Sequence, residues 1–153
     1  MNVMITVLTY LKVVVPLIWV GFIAAISFME AWLKFRAPGV TLVTGLSIGN
    51  VVFGALNRVE IVLALLILAA ILMQPFRWTE QLPYTLTVLL LIIQSVWLLP
   101  ALSSRITIYA EGGTPPPSNL HQVFVGLEVI KTAALLYYGI KQLSTWRILT
   151  PSH

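Results

Sequence analysis

Glu128 and Lys131 lie three residues apart within the apolar segment 123–140. Residues at this spacing are neighbours on one face of a helix, so the two side chains can form an ion pair. A carboxyl group beside an amine is also an arrangement that supports general acid–base chemistry. The spacing therefore predicts either a structural ion pair or a reactive pair inside a hydrophobic helix.

Further polar residues near the ends of apolar segments are candidates for the same site. They are Glu30, Asn57, Arg58, Glu60, Arg105 and His121. In a structural interpretation Glu30 pairs with Lys34. Glu60 or Glu30 then pairs with Arg58 or Arg105 across helices. In a functional interpretation the residues line a pocket for a ligand or a partner, and the sequence leaves both interpretations open.

Several kinds of chemistry are excluded by the residues that the chain lacks. There is no cysteine and no aspartate, which excludes thiolate ligands, thiolate nucleophiles and a Ser-His-Asp triad. Haem held by two histidines is excluded because His153 is the last residue, which leaves His121 alone. A metal site built from His121 and glutamates would lack the Glu-x-x-His pairs of bundle carboxylate sites, so no metal is predicted. No cofactor can be assigned.

The composition indicates which elements must position these residues. Hydrophobic residues make up 59% of the 153-residue chain, charged residues make up 9%, and the mean hydropathy is +0.96. A soluble domain carries about 25% charged residues, so we expect an integral membrane protein, in a bacterial inner (cytoplasmic) membrane. The basic residues are scattered singly beside apolar segments, as at lipid head groups, and nucleic acid is not expected as a partner.

Four apolar segments have about the length of a membrane-spanning helix. They predict spans I to IV over 12–33, 57–76, 83–100 and 120–141. The expected fold is all-α, a bundle of four antiparallel transmembrane helices forming one domain over 1–153. The segment 40–56 is also apolar, but one helix over 40–73 would be roughly 50 Å long against a hydrocarbon core of about 30 Å. We therefore predict a separate interfacial or re-entrant helix over 40–56.

The up-and-down path defines two sides of the bundle, and side B is the side with the connection between spans I and II. The basic residues flank the spans four to four, so the positive-inside rule gives no orientation. The candidate site lies in the half next to side B, with Gln94 at mid-depth, and the side-A half is expected to be nearly free of polar groups. Small residues ending at Glu30 predict the packing face of span I: Gly21, Ala24 or Ala25, and Ser27.

Four stretches resemble small bacterial four-helix integral membrane proteins. They are FMEAWLKFRAPGV (28–40), GLSIGNVVFGALNRVEI (45–61), LPALSSR (99–105) and SNLHQVFVGLEVIKTAALL (118–136). The resemblance covers most of the chain and implies the membrane fold without a particular activity. Asn57-x-x-Glu60 is also similar to a motif of the MAPEG glutathione-transferase-like membrane proteins. The arginine expected before that asparagine is replaced by Phe53 and Gly54, so no MAPEG activity is inferred.

The sequence thus favours a non-catalytic subunit of a membrane complex, or a homo-oligomer. Its intramembrane polar residues would bind a partner, a lipid or a lipophilic small molecule, and its partners would be the bilayer and other membrane subunits. The alternative is a small membrane-embedded enzyme or proton-coupled carrier that uses Glu128 and Lys131 as an acid–base pair.

Overall fold

Four long helices account for most of the structure. The computed structural model describes residues 3–75 and 77–149, with side chains up to residue 145. Within these ranges the chain forms helices and no strand. The helices are α1 (Val3–Arg36), α2 (Leu42–Leu72), α3 (Trp78–Ala110) and α4 (Leu120–Leu149). All four are long and apolar enough to cross a membrane. The described part of the chain is therefore all-helical, and the protein is membrane-embedded, as its composition predicts.

Two of the helices change their hydrogen-bonding pattern part-way along. α1 has a π-helical segment at Ala24–Glu30, and α3 has one at Gln94–Leu98. Pro100 follows the second segment, where the α-helical ladder is already interrupted and a missing N–H costs least. For this reason α3 continues past Pro100 to Ala110 and does not end near residue 100 as the sequence predicts.

The separate helix predicted over 40–56 is not seen, because α2 is one uninterrupted helix over Leu42–Leu72. The prediction assumed that a helix much longer than the hydrocarbon core must break. α2 is roughly 46 Å long at 1.5 Å per residue, but α1 and α3 are similarly long and accompany it. The additional turns are therefore covered by neighbouring helices of the bundle.

Two glycines allow the end of α1 to lie against the first turns of α2. A Cβ atom at Gly45 would overlap the ring of Phe35, and one at Gly49 would lie 2.7 Å from Lys34 Nζ. Thr41 caps this helix start by accepting a hydrogen bond from the Thr44 N–H at 3.2 Å. The Gly-x-x-x-Gly spacing therefore marks a close contact between helices, which holds the first turns of α2 in place.

The helices pack in pairs around a shared core. α1 packs against α2 and α4, and α3 packs against α4 and, through its second half, against α2. Trp19 and Ile23 of α1, Ile67 of α2, and Leu135 and Tyr138 of α4 are among the buried residues at the centre. Many apolar side chains on the outer faces, such as Val51 and Val96, are exposed in the isolated chain and suit contact with lipid.

The buried face of α1 differs from the predicted stripe of small residues. The buried residues recur every four positions: Val15, Trp19, Ile23 and Ser27. Gly21, Ala24 and Ala25 are exposed. A tryptophan in the middle of a span needs an acceptor for its indole N–H, and α1 turns Trp19 towards such an acceptor in the bundle interior.

Gly139 provides a test of the contact between α1 and α4. A Cβ atom there would lie 3.7 Å from Leu17 Cδ2, Pro16 Cβ and the Val13 carbonyl oxygen, which is ordinary contact, whereas a Cβ at Gly126 meets nothing within 4 Å. We expect Gly139→Leu to lower the free energy of unfolding by about 1–3 kcal/mol through overpacking. Gly139→Ala and Gly126→Leu should not lower it.

The free energy of unfolding would be measured by titrating SDS into mixed micelles and following helicity by circular dichroism. An equal loss of stability in Gly139→Leu and Gly126→Leu would contradict the described packing of α1 against α4.

Candidate functional site

A buried ionic cluster connects all four helices. Lys131 Nζ of α4 lies 2.6 Å from Glu60 Oε1 of α2 and 2.7 Å from Glu128 Oε1. It also donates a hydrogen bond to Gln94 Oε1 of α3 at 2.7 Å. The Lys131 and Glu128 side chains are completely buried, and Glu60 is almost so. One ammonium group is therefore shared by two carboxylates and an amide.

The remaining members of the cluster donate hydrogen bonds to the carboxylates. Trp19 Nε1 donates to Glu60 Oε1 at 2.8 Å. Ser27 Oγ donates to Glu128 Oε2 at 3.1 Å, and Gln94 Nε2 donates to Glu128 Oε1 at 2.7 Å. We call these six residues the central cluster: Trp19, Ser27, Glu60, Gln94, Glu128 and Lys131.

Both π-helical segments contribute a member of the central cluster. Ser27 lies within Ala24–Glu30, Gln94 begins Gln94–Leu98, and each donates to Glu128. A π-helical turn is rare and changes the direction in which the following side chains point. The two irregular segments thus coincide with the two hydrogen bonds that α1 and α3 make to the same carboxylate.

The membrane interior makes these contacts important for stability. A charged side chain at mid-bilayer costs about 2.5–3.5 kcal/mol on insertion scales, and removing one partner of a buried ion pair costs more than the pair contributes. Among the described residues, no buried polar atom of the central cluster lacks a hydrogen-bond partner. The cluster carries two acidic groups for one basic group, so it has one formal negative charge in excess when both carboxylates are ionised.

A cavity of about 260 Å³ opens near side B. Its lining comes from all four helices and from Ser118 in the connection before α4. Phe35, Phe53 and Phe124 give it aromatic walls, and Lys34, Arg105 and His121 place polar groups in it. We call this space the side-B cavity, and none of the three charged residues of the central cluster lines it.

Lys34 occupies the α1 side of the cavity. Its Nζ lies 3.2 Å from Glu30 Oε2, so the predicted i,i+4 pair is present. The same ammonium lies 5.3 Å from the ring centroid of Phe53, within cation–π range. The absence of a side chain at Gly49 leaves the space in which this ammonium lies.

Arg105 occupies the α3 side of the cavity. Its Nη2 donates to the Pro116 carbonyl oxygen at 2.6 Å and thereby fastens the connection between α3 and α4. Among the described residues, Arg105 has no carboxylate within ion-pair distance. The predicted pairing of Arg105 with Glu60 is therefore wrong, because Glu60 pairs with Lys131.

The other candidates from the sequence lie at the edge of this arrangement. Asn57 Nδ2 donates to Ser95 Oγ at 2.6 Å, and so joins α2 to α3. Arg58 is exposed and lines neither the cavity nor the cluster. His121 is exposed and lines the cavity. Of the eight candidates, three thus belong to the central cluster and two line the side-B cavity. Glu30 and Asn57 are half-buried and belong to neither, and Arg58 is exposed.

Polar groups are also buried in the half next to side A, which corrects the expectation that this half is nearly free of them. Lys12 is buried and donates from Nζ to Gln74 Oε1 at 2.8 Å. Tyr138 Oη donates to Gln81 Oε1 at 3.1 Å. The sequence prediction misses them because Lys12 stands at the start of predicted span I and Gln81 lies before predicted span III, whereas both helices begin earlier.

Trp19 and Ser27 are the cluster residues that the sequence did not assign to the site. Trp19 could be identified from the sequence, because tryptophan in membrane proteins concentrates at the interfaces and this one lies in the middle of a span. Ser27 could not, because a serine is common in membrane helices as a packing residue.

Comparisons with known proteins do not assign a family. No protein-family model, no curated protein and no solved structure matches the chain. Among the described residues, no three His or Glu side chains are grouped so that they could hold a metal ion. The central cluster and the side-B cavity are therefore the features of the chain that indicate its function.

The shared ammonium predicts a particular order of stabilities. Lys131→Met leaves two buried carboxylates without a cation, and we expect it to lower the free energy of unfolding by about 3–5 kcal/mol. Adding Glu128→Gln still leaves Glu60 without its cation. Adding Glu60→Gln as well should restore most of the stability, because no uncompensated charge remains.

The matched control is Arg77→Met, which breaks the exposed pair with Glu80 and should change stability by no more than about 1 kcal/mol. Unfolding in SDS-containing mixed micelles is again the measurement. A triple variant as unstable as Lys131→Met would show that charge compensation is not what the cluster provides.

Proposed function

We propose that this protein is a membrane-embedded binding subunit that receives a lipid or a lipophilic small molecule in the side-B cavity. The observation that carries the proposal is a cavity of about 260 Å³ to which all four helices contribute, lined by both aromatic and polar side chains. Its volume is close to the lower end of about 300–1,000 Å³ that is usual for small-molecule sites. It has room for the polar end of a ligand and the first part of an apolar chain.

The contacts of the central cluster favour a structural role for Glu60, Glu128 and Lys131. These side chains form ion pairs and hydrogen bonds with one another and hydrogen bonds with Trp19 and Gln94. That they bind a partner stays a prediction from the sequence. The cavity residues differ, because the Arg105 guanidinium has further N–H groups beyond the one bonded to Pro116.

The proposal also includes the membrane, the order of the helices and the assembly of the protein. The helices would cross a bacterial inner membrane in antiparallel order, and the chain would act as a homo-oligomer or with other membrane subunits. The pairing of Lys12 with Gln74 at one end, and the joint lining of the cavity by Lys34, Arg105 and His121 at the other, support the antiparallel order.

Filling the cavity tests the binding role. Leu102 lines the side-B cavity, whereas Leu86 of the same helix lies in an apolar outer groove. We expect Leu102→Trp to weaken binding of a single-chain amphiphile by about tenfold, or about 1.4 kcal/mol, and Leu86→Trp to leave it unchanged. Native mass spectrometry of the purified chain, released from nonionic detergent with monolauroylglycerol as the probe, measures the occupancy.

Circular dichroism and elution volume would establish that both tryptophan variants fold. Binding that persists unchanged in a folded Leu102→Trp variant would refute the side-B cavity as the ligand site.

A second candidate function is proton-coupled transport by the Glu128–Lys131 pair. The observation that favours it is the excess of one acidic group in the central cluster, inside the bundle. In proteoliposomes containing a pH-sensitive dye, a carrier would dissipate an imposed proton gradient, and Glu128→Gln would abolish this while the protein still folds. Glu80→Gln, in the outer pair with Arg77, is the control. A wild-type protein that leaves the gradient intact would exclude transport of protons alone.

A further inference from the structure

We infer that the ligand of the side-B cavity is an acidic single-chain amphiphile, with an anionic head group held by Arg105, Lys34 and His121. This inference rests on the proposed function and names the ligand class for the same cavity. It follows from the charges that line the cavity, from the position of these charges in the bundle, and from the apolar surface beside them.

The lining of the cavity is positively charged. Lys34 and Arg105 line it together with His121, and among the described residues no acidic one does. Glu30 lies outside the lining and compensates Lys34 through the 3.2 Å contact. Arg105 has no such partner among the residues that the structure describes. A net positive charge therefore remains in the cavity, and an anionic group would compensate it.

The geometry of Arg105 suits an anion with several oxygens. One N–H group of the guanidinium is fixed by the Pro116 carbonyl oxygen at 2.6 Å, which orients the planar group. A guanidinium presents further N–H donors in a fixed arrangement that matches phosphate and carboxylate. Ser118 and His121 add side-chain donors to the same cavity.

The position of the cavity indicates an amphiphile, as opposed to a small soluble anion. Lys34 lies near the end of α1 and His121 near the start of α4, where a bundle passes from hydrocarbon to head groups. Basic pockets between membrane helices at this depth bind acidic lipid head groups. Beside the charges, Phe35, Phe53, Phe124 and Leu99 offer apolar walls along which a chain can continue towards the lipid.

Gly49 is part of the same arrangement. A Cβ atom at this position would lie 2.7 Å from Lys34 Nζ, so an alanine there would move the ammonium out of its place. Gly49 therefore allows a cation to lie on the surface of α2 within the cavity, where it also contacts the ring of Phe53 at 5.3 Å.

Two probes with the same chain separate this inference from the proposed function. Lauroyl-lysophosphatidic acid and monolauroylglycerol share one acyl chain and glycerol, and they differ in the phosphate. We expect the purified protein in nonionic detergent to bind the acidic probe about tenfold more tightly, as hydrogen bonds to a charged group contribute more than neutral ones. Native mass spectrometry measures both affinities.

Variants assign the effect to the cavity. Arg105→Gln should weaken binding of the acidic probe by about tenfold and leave binding of the neutral probe unchanged. Arg105→Lys should retain part of the preference, because it keeps the charge but not the fixed arrangement of donors. Arg36→Gln is the matched control, since Arg36 is exposed near the same end and lies over the Trp32 ring, outside the cavity. Lys34→Gln tests the same preference if Arg105→Gln does not fold.

Each outcome has a defined meaning. Equal affinity for the two probes would overturn the inference and leave the proposed function standing, whereas no binding of either probe would overturn both. An equal loss in Arg36→Gln and Arg105→Gln would also overturn the inference, because the effect would then be one of general surface charge. Inorganic phosphate that displaces the acidic probe at a similar concentration would show a site for a free anion and would overturn the amphiphile assignment.

Discussion

A lysine inside a membrane bundle must obtain its partners from the protein, because lipid offers none. Lys131 takes them from three helices: Glu60 from α2, Gln94 from α3 and Glu128 from its own α4. Ser27 and Trp19 of α1 donate hydrogen bonds to the carboxylates of Glu128 and Glu60. The ammonium group thus joins α2 and α3 to α4, and the two carboxylates that it pairs with join α1 to the same cluster. The packing of all four helices is therefore tied to one cluster of buried charges.

The cluster and the cavity share the wall formed by α4. Phe124 lines the side-B cavity, and Glu128 and Lys131 follow it one and two turns deeper along the same helix. The Lys131–Glu60 ion pair holds α4 against α2, and hydrogen bonds of Glu128 and Lys131 hold it against α1 and α3. A helix held in this way moves little, and a pre-formed site loses less free energy on binding than one that must be ordered. The buried charges thus contribute to binding without contacting the ligand, by keeping the cavity walls in place.

The sequence predicts the features that depend on neighbours along one helix. The number of apolar helices, the Glu128–Lys131 pair and the Glu30–Lys34 pair follow from composition and from helical spacing, and the structure contains them. Features that depend on contacts between helices were missed or misplaced. In its structural interpretation the sequence pairs Lys131 with Glu128 and offers Arg58 or Arg105 to Glu60, and nothing in the sequence shows that one ammonium serves both carboxylates.

The misplaced boundary within α2 has a physical cause that also bears on the cavity. Comparing the length of one helix with the bilayer treats that helix as isolated, whereas the turns of α2 around Gly45 and Gly49 are covered by Phe35 and Lys34 of α1. These same turns form the α2 wall of the side-B cavity through Leu46, Gly49 and Phe53. If residues 40–56 formed a separate helix, as the sequence predicts, this wall would not belong to a helix of the bundle. Because α2 is unbroken, it forms a wall of the side-B cavity at the end of the bundle. The centre of the bundle is occupied by the charged side chains of the central cluster.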